Sequence, residues 1–240
     1  AFSAVSMSDA VVSDFETADG WVGGLPGDTA TGGLWIRADP VFSPAQPDND
    51  HSAVGTLCWI TGNGPIGGAA GDADVDGGFT TLLSPTYDLS SMDEPYLEYW
   101  YWYSNNQGGL PDDTMPVEIS NDGGQTWTLV ENVQSNAGVW SLRSWRVRDW
   151  VQPTAAVRMR FVARDTGTGS VVEAGVDDFR VIDIACTPDE SADLNGDGLV
   201  NGADLTILLS LWGSSNPQAD LDGNGSVGAG DIAVLLNAWS

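Results

Sequence analysis

The sequence predicts a mainly β chain, an antiparallel jelly-roll sandwich followed by a small all-α domain. Two observations predict it. Short apolar runs alternate with glycine-rich turn clusters from Phe15 to Cys186, the pattern of many short strands. The C-terminal end instead holds two near-copies of one loop-helix unit, DLNGDGLVNGADLTILLSLWG from Asp193 and DLDGNGSVGAGDIAVLLNAWS from Asp220. The expected division is an extended N-terminal segment at 1–14, a sandwich at 15–186, a linker at 187–192 and the repeated module at 193–240.

Candidate strands fall at 53–60, 79–83, 96–103, 115–120, 127–130, 145–150, 157–163 and 176–184. LEYWYWYS, at 97–104, reads as a central strand with aromatics on both faces. SNDGGQTW, at 120–127, reads as strand–turn–strand, because Asp-Gly supplies the positive φ of a tight hairpin. Through Ser120, Asp122, Gly124, Thr126 and Trp127 it resembles the Asp-box of sialidases, where the box is a structural hairpin away from the catalytic centre. It occurs once, without the clustered arginines that sialic acid needs.

The repeated loops are rich in oxygen donors. Ca²⁺ takes six to eight hard oxygens, and a 12-residue loop supplies them from positions 1, 3, 5, 7, 9 and 12 with glycine at 6. From Asp193 these positions are Asp193, Asn195, Asp197, the Leu199 carbonyl, Asn201 and Asp204, with Gly198 at the turn. From Asp220 they are Asp220, Asp222, Asn224, the Ser226 carbonyl, a water near Gly228 and Asp231, with Gly225 at the turn. Calcium is therefore the expected cofactor, two ions in this module. The helices repeat as well: Leu208, Leu209 and Trp212 recur as Leu235, Leu236 and Trp239. One part of that apolar surface can pack between the repeats and another can dock on a partner.

This segment resembles the dockerin module of secreted bacterial proteins, a duplicated calcium loop-helix unit that binds cohesin domains. The resemblance implies a protein partner. Dockerins often carry hydroxyl residues at loop positions 10 and 11 and basic residues on the helices; here those positions are Gly202-Ala203 and Ala229-Gly230, and neither helix carries Arg or Lys. Other copies of the chain are accordingly the first expected partner, and a cohesin-type domain the second.

Two acidic signatures bracket the larger domain, DFE at 14–16 and GVDDFRV at 175–181. With the strand pattern they resemble the calcium-stabilised jelly rolls of bacterial carbohydrate-binding modules and MAM-like domains. That resemblance implies that Glu16 and Asp178 share one further structural calcium. GDADVDGG offers Asp72, Asp74 and Asp76 on one side of an extended loop, either for a cation or as a solvated turn. Eleven Trp raise glycan binding, with Trp21, Trp35, Trp59 and Trp140 beside glycines as the ones expected to be exposed. Arg143, Arg146 and Arg148 are expected on one strand face, paired with acids.

The net charge of −26, from 34 acidic and 8 basic residues, opposes nucleic acid and anionic membrane surfaces. No apolar run is long enough to cross a bilayer. Starting at Ala1, with two cysteines suited to one disulfide or to two buried thiols, fits a secreted, extracellular or cell-surface chain. The single histidine, His51, reads as a solvated loop residue, and no hydrolase or metalloprotease motif occurs, so no catalysis is expected. Phe2, Val5, Met7, Val11 and Val12 make the N-terminal segment apolar, to be bound on its own domain or as an added strand on a neighbouring copy. The expected function is a non-catalytic, calcium-dependent structural or assembly protein, in its most specific form a self-polymerising surface or filament subunit. The alternative is a carbohydrate-binding adhesin or enzyme accessory tethered through its dockerin-like module to a scaffold.

Overall fold

The computed structural model describes residues 4–239 apart from 18, 109–112, 135–137, 167–168 and 188–191. The chain divides into two compact units, Ser8–Asp183 and a second made of Ile184–Ser240 with Ala1–Met7. The boundary therefore differs from the expected 186/187: the last strand runs on through Thr187, and the first residues group with the C-terminal unit.

The larger unit is mainly antiparallel β. One sheet has the order β3 (Trp35–Ala38), β4 (Cys58–Thr61), β11 (Ser170–Thr187), β6 (Pro95–Gly108) and β9 (Ser141–Arg146), with β1 (Ala4–Ser13) also paired to β11. The other has the order β2 (Val22–Gly23), β5 (Gly78–Leu83), β10 (Arg158–Asp165), β7 (Met115–Ser120) and β8 (Thr128–Val133). Residues of both sheets meet in one buried core, the arrangement of a β-sandwich.

Side-chain alternation along β6 shows how the sequence builds these layers. Leu97, Tyr99, Tyr101 and Tyr103 face the main core. Trp102, on the opposite parity, is buried in a second cluster with Cys58 and Ile60 on the outer side of the same sheet. A Cβ on Gly175, paired with Trp102 across β6 and β11, would run into the Trp102 indole. Glycine is required there to let the ring lie flat.

The sandwich is closed at both lateral edges. At one, Arg143 on β9 donates from Nε and Nη2 to the two Glu131 oxygens on β8 at 2.9 and 3.0 Å, joining the outermost strands of the two sheets. At the other, β2 approaches β3 so closely that a Cβ on Gly23 would overlap the Trp35 carbonyl.

Several sequence expectations move. Only the end of 53–60 is strand; the rest is loop. The strand expected at 145–150 lies at Ser141–Arg146, followed by a 3-10 turn at Val147–Asp149. Arg143, Arg146 and Arg148 therefore do not share one face: odd spacing separates the first two, and the third leaves the strand. They do pair with acids, Arg143 with Glu131, and Arg146 with Glu94 and Asp149. Trp21 and Trp35 are buried rather than exposed, because both fill gaps between the sheets. The N-terminal segment forms β1 on its own chain's β11. Cys58 is a buried free thiol; the side chain of Cys186 lies outside the described residues.

In the smaller unit, α1 (Gly202–Ser210) and α2 (Ala229–Asn237) each follow one acidic loop. Their core is small: Ala192, Val200, Leu208, Ala219, Val227, Leu235 and Ala238. Val227 exchanges backbone hydrogen bonds with Gly213 and Ser214, linking the repeats.

Candidate metal centre

Each loop is a cradle of backbone N–H groups around its first and last carboxylates. In the first, Asp193 accepts from Gly196 N at 2.8 Å with one oxygen and from Gly198 N at 2.8 Å with the other. Asp204 accepts from Leu194 and Asn195 with Oδ1 and from Asn201 N with Oδ2. In the second, Asp220 accepts from Asn224 N and Gly225 N, and Asp231 from Asp222 N and Gly228 N. The glycines at position 6 hold φ of 87° for Gly198 and 92° for Gly225, a conformation that side chains resist. Asp204 and Asp231 are fully buried and also sit in the first helical turn, where the helix dipole favours negative charge.

The remaining expected donors lie in the same turns. Asn195 accepts from Asp197 N, and Asp197 accepts from Leu199 N with one oxygen and from the Asn195 amide with the other. Asn201 caps α1 by accepting from Ala203 N. In the second loop Asn224 accepts from Ser226 N and Ser226 Oγ and donates to Asp222. Asp220, Asp222 and Asp231 bring ligand oxygens within 4.8 Å of one another, and are the one such carboxylate trio among the described residues. The Asp222 carboxylate lies against Gly230, where a Cβ would make it move.

Asp204 and Asp231 keep their carboxyls below the ordinary range. For Asp204 the Asn201 N–H is the main cause. For Asp231 burial pushes upward, and the N–H groups of Gly228, Asp222 and Leu221 together outweigh it. Outside the loops' apolar core, Leu209 and Trp212 are 50% and 51% exposed, and their counterparts Leu236 and Trp239 are 52% and 47% exposed.

Glu16 and Asp178 reach the same loop of the sandwich. Glu16 accepts from Thr56 N and Leu57 N at 2.9 and 2.6 Å. Asp178, held at φ 47°, lies 2.6 Å from His51 Nδ1 and accepts from Ser52 Oγ at 2.9 Å. Protein donors thus take up oxygens of both, and no trio of carboxylates within ion-binding distance includes them among the described residues. His51, expected in solvent, instead stacks on Trp100 at 3.8 Å between ring centroids. The signal that sequence reading missed was Asp50, whose Oδ2 is buried without a hydrogen-bond partner; burial, Glu16 and Asp178 all raise its carboxyl. Asp72, Asp74 and Asp76 do not form one ligand row. Asp72 and Asp76 are exposed, while Asp74 is buried and interacts with Glu173.

The outer face of the second sheet carries a groove of about 370 Å³ lined by Phe79, Thr81, Arg160, Val162, Arg164 and Thr166. Arg164 stands directly opposite Phe79 across the β10–β5 pair, and Val162 opposite Thr81. Arg160 lies over the Trp127 ring at 4.3 Å and pairs with Glu118 at 2.6 Å. Arg164 has no acidic partner among the described residues.

No family model and no curated protein matches the sequence. Among solved structures, the chain is similar to a carbohydrate-binding module, TmCBM61, in complex with β-1,4-galactotriose, at 11% identity and a TM-score of 0.44, covering 72% of this chain and 97% of that one. It is similar to the K2 cleaved adhesin domain of Lys-gingipain at 18% identity and a TM-score of 0.42, covering 75% and 98%. It is also similar to the CBM22-1 xylan-binding domain from Paenibacillus barcinonensis Xyn10C at 11% identity and a TM-score of 0.39, covering 74% and 94%. No helix among the described residues is long and apolar enough to cross a membrane.

Proposed function

We propose that the chain is a non-catalytic, calcium-dependent extracellular attachment protein. The observation that carries this reading is the convergence of Asp220, Asp222 and Asp231 within 4.8 Å. Three carboxylates that close repel one another unless a cation sits among them. Asp193, Asn195, Asp197, the Leu199 carbonyl, Asn201 and Asp204 would hold one Ca²⁺, and Asp220, Asp222, Asn224, the Ser226 carbonyl and Asp231 a second. Bound calcium supplies the positive charge that ties each loop to its helix. A third ion at Glu16 and Asp178 would have to displace the protein donors that already hold oxygens of both.

The docking surface is the matched pair of half-exposed patches, Leu209 with Trp212 and Leu236 with Trp239. Two large apolar side chains left outside at equivalent positions of both repeats suit a protein partner. A second copy of the chain is the first partner to test. Calorimetric titration is expected to find at least two Ca²⁺ per chain, and Asp222→Ala to remove one. Fewer than one ion per chain would sink the reading. In millimolar calcium, sedimentation should show association that Trp212→Ser with Trp239→Ser abolishes; a chain monomeric at every concentration would leave docking to a different protein.

A second reading concerns the sandwich. Its groove, with an aromatic ring, an apolar floor and charged walls, favours carbohydrate binding as the cargo-side activity.

A further inference from the structure

The geometry points to the groove on the outer face of the second sheet as a site for a carboxylate-bearing saccharide, one containing uronic acid rings. This rests on the carbohydrate-binding reading of the sandwich and names its ligand class. The chain has 8 basic residues against 34 acids, so an uncompensated cation is rare on it. The neighbours of Arg164 on the same strand face have partners: Arg160 pairs with Glu118, and Arg158 donates to the Ser84 carbonyl. Asp165, next in sequence, accepts from Gly77 N. Among the described residues Arg164 alone keeps an unpaired guanidinium, and it does so in a groove.

A guanidinium fork matches a carboxylate in bidentate fashion. Phe79 stands across from it on β5, close enough to share one ligand ring, and Val162, 4% exposed, forms the floor. The groove lies over β5 and β10, each paired on both sides, to β2 and β10 and to β5 and β7 respectively. An acidic peptide therefore finds no free strand edge to extend here. The ligand must be held by side chains, through one apolar ring face and one negative handle. A uronic acid ring carries both.

The test uses the whole calcium-loaded chain and oligosaccharides of glucuronic and galacturonic acid, each beside its carboxyl-reduced neutral twin. At least one acidic form should bind ten-fold or more tightly than its twin, with the difference shrinking as salt rises. Arg164→Gln should erase that preference and Arg164→Lys retain part of it, with the melting temperature unchanged because Arg164 holds nothing inside the protein. Equal binding of acidic and neutral twins would overturn the acid specificity and leave the carbohydrate reading standing. Binding of neither form would overturn both. A preference that survives Arg164→Gln would overturn the placement. Salt-dependent self-association lost in Arg164→Gln, without saccharide binding, would assign the groove to another copy's acidic surface instead.

Discussion

Asp177 in the sandwich and Asp204 in the C-terminal unit are both fully buried and both accept backbone N–H groups. They titrate in opposite directions. Burial pushes Asp177 up to about 7, beyond what the His51, Asp178 and Ser52 N–H groups recover. Asp204 is held low, chiefly by the Asn201 N–H. Burial pushes Asp204 upward too, but the N–H groups of Asn201, Asn195 and Leu194 together outweigh it. The sandwich also raises Glu173 to about 8 and Asp74 to about 6, in each case mainly by burial. In the sandwich, burial outweighs the N–H groups around its acids; in the loops the N–H groups outweigh burial.

The largest expected effect tests the module. With calcium chelated, amide protection over 202–210 and 229–237 should vanish while the sandwich keeps a cooperative melt. An ion held at about 1,000 times its Kd contributes about 4.1 kcal/mol, more than so small a core can replace. Protection that persists without calcium would collapse the contrast. Next, Phe161→Ala, in the sandwich core, should cost about 3–5 kcal/mol in denaturant unfolding and leave the calcium titration unchanged. A shift in calcium affinity would mean that the two units are not energetically separate.

The third effect is a slope with pH. Glu173 has a folded value of about 8 against 4.5 in the open chain, so its contribution is complete below 4.5 and is lost as pH rises to about 8. Glu173→Gln should reduce the fall in sandwich stability across that window, leaving the share that Asp177 and Asp74 contribute. The module has the opposite sign: Asp204 and Asp231 have lowered carboxyls, so its stability is lost as pH falls through their range. Parallel pH profiles for the two units would break the comparison.

What could be read from sequence followed the same division. The two acidic loops and the helices after them were legible because their pattern is local: each loop's carboxylates accept from N–H groups within ten positions. β7 was legible for the same reason, with its apolar alternation ending at the Asp122 turn, where Asp122 accepts from Ser120 Oγ, Gln125 N and Thr126 N. β1 and β3 were not. β1 leaves Met7 and Val12 exposed, which blurs its period, and β3 is four residues bounded by glycine and proline. The placement of His51 against Trp100 and Asp178 joins residues up to 127 positions apart, which no local pattern encodes. The Arg164 groove had a visible signal in RMRFVAR at 158–164, a two-residue alternation with Arg158, Arg160 and Arg164 on one parity. What the sequence did not show was that, among the described residues, Arg164 alone would stay unpaired.

The closed edges of the sandwich bear on how such a chain stays dispersed. Sheets aggregate by accepting a foreign strand along an unpaired margin, and proteins resist this with short marginal strands and charges turned inward. β2 and β3 have two and four residues, and the margins at β8 and β9 are crossed by Arg143 and Glu131. Neither margin is a long apolar template, and the net charge of −26 adds mutual repulsion. The margins of the sandwich therefore offer a neighbouring copy no template for amyloid-like stacking.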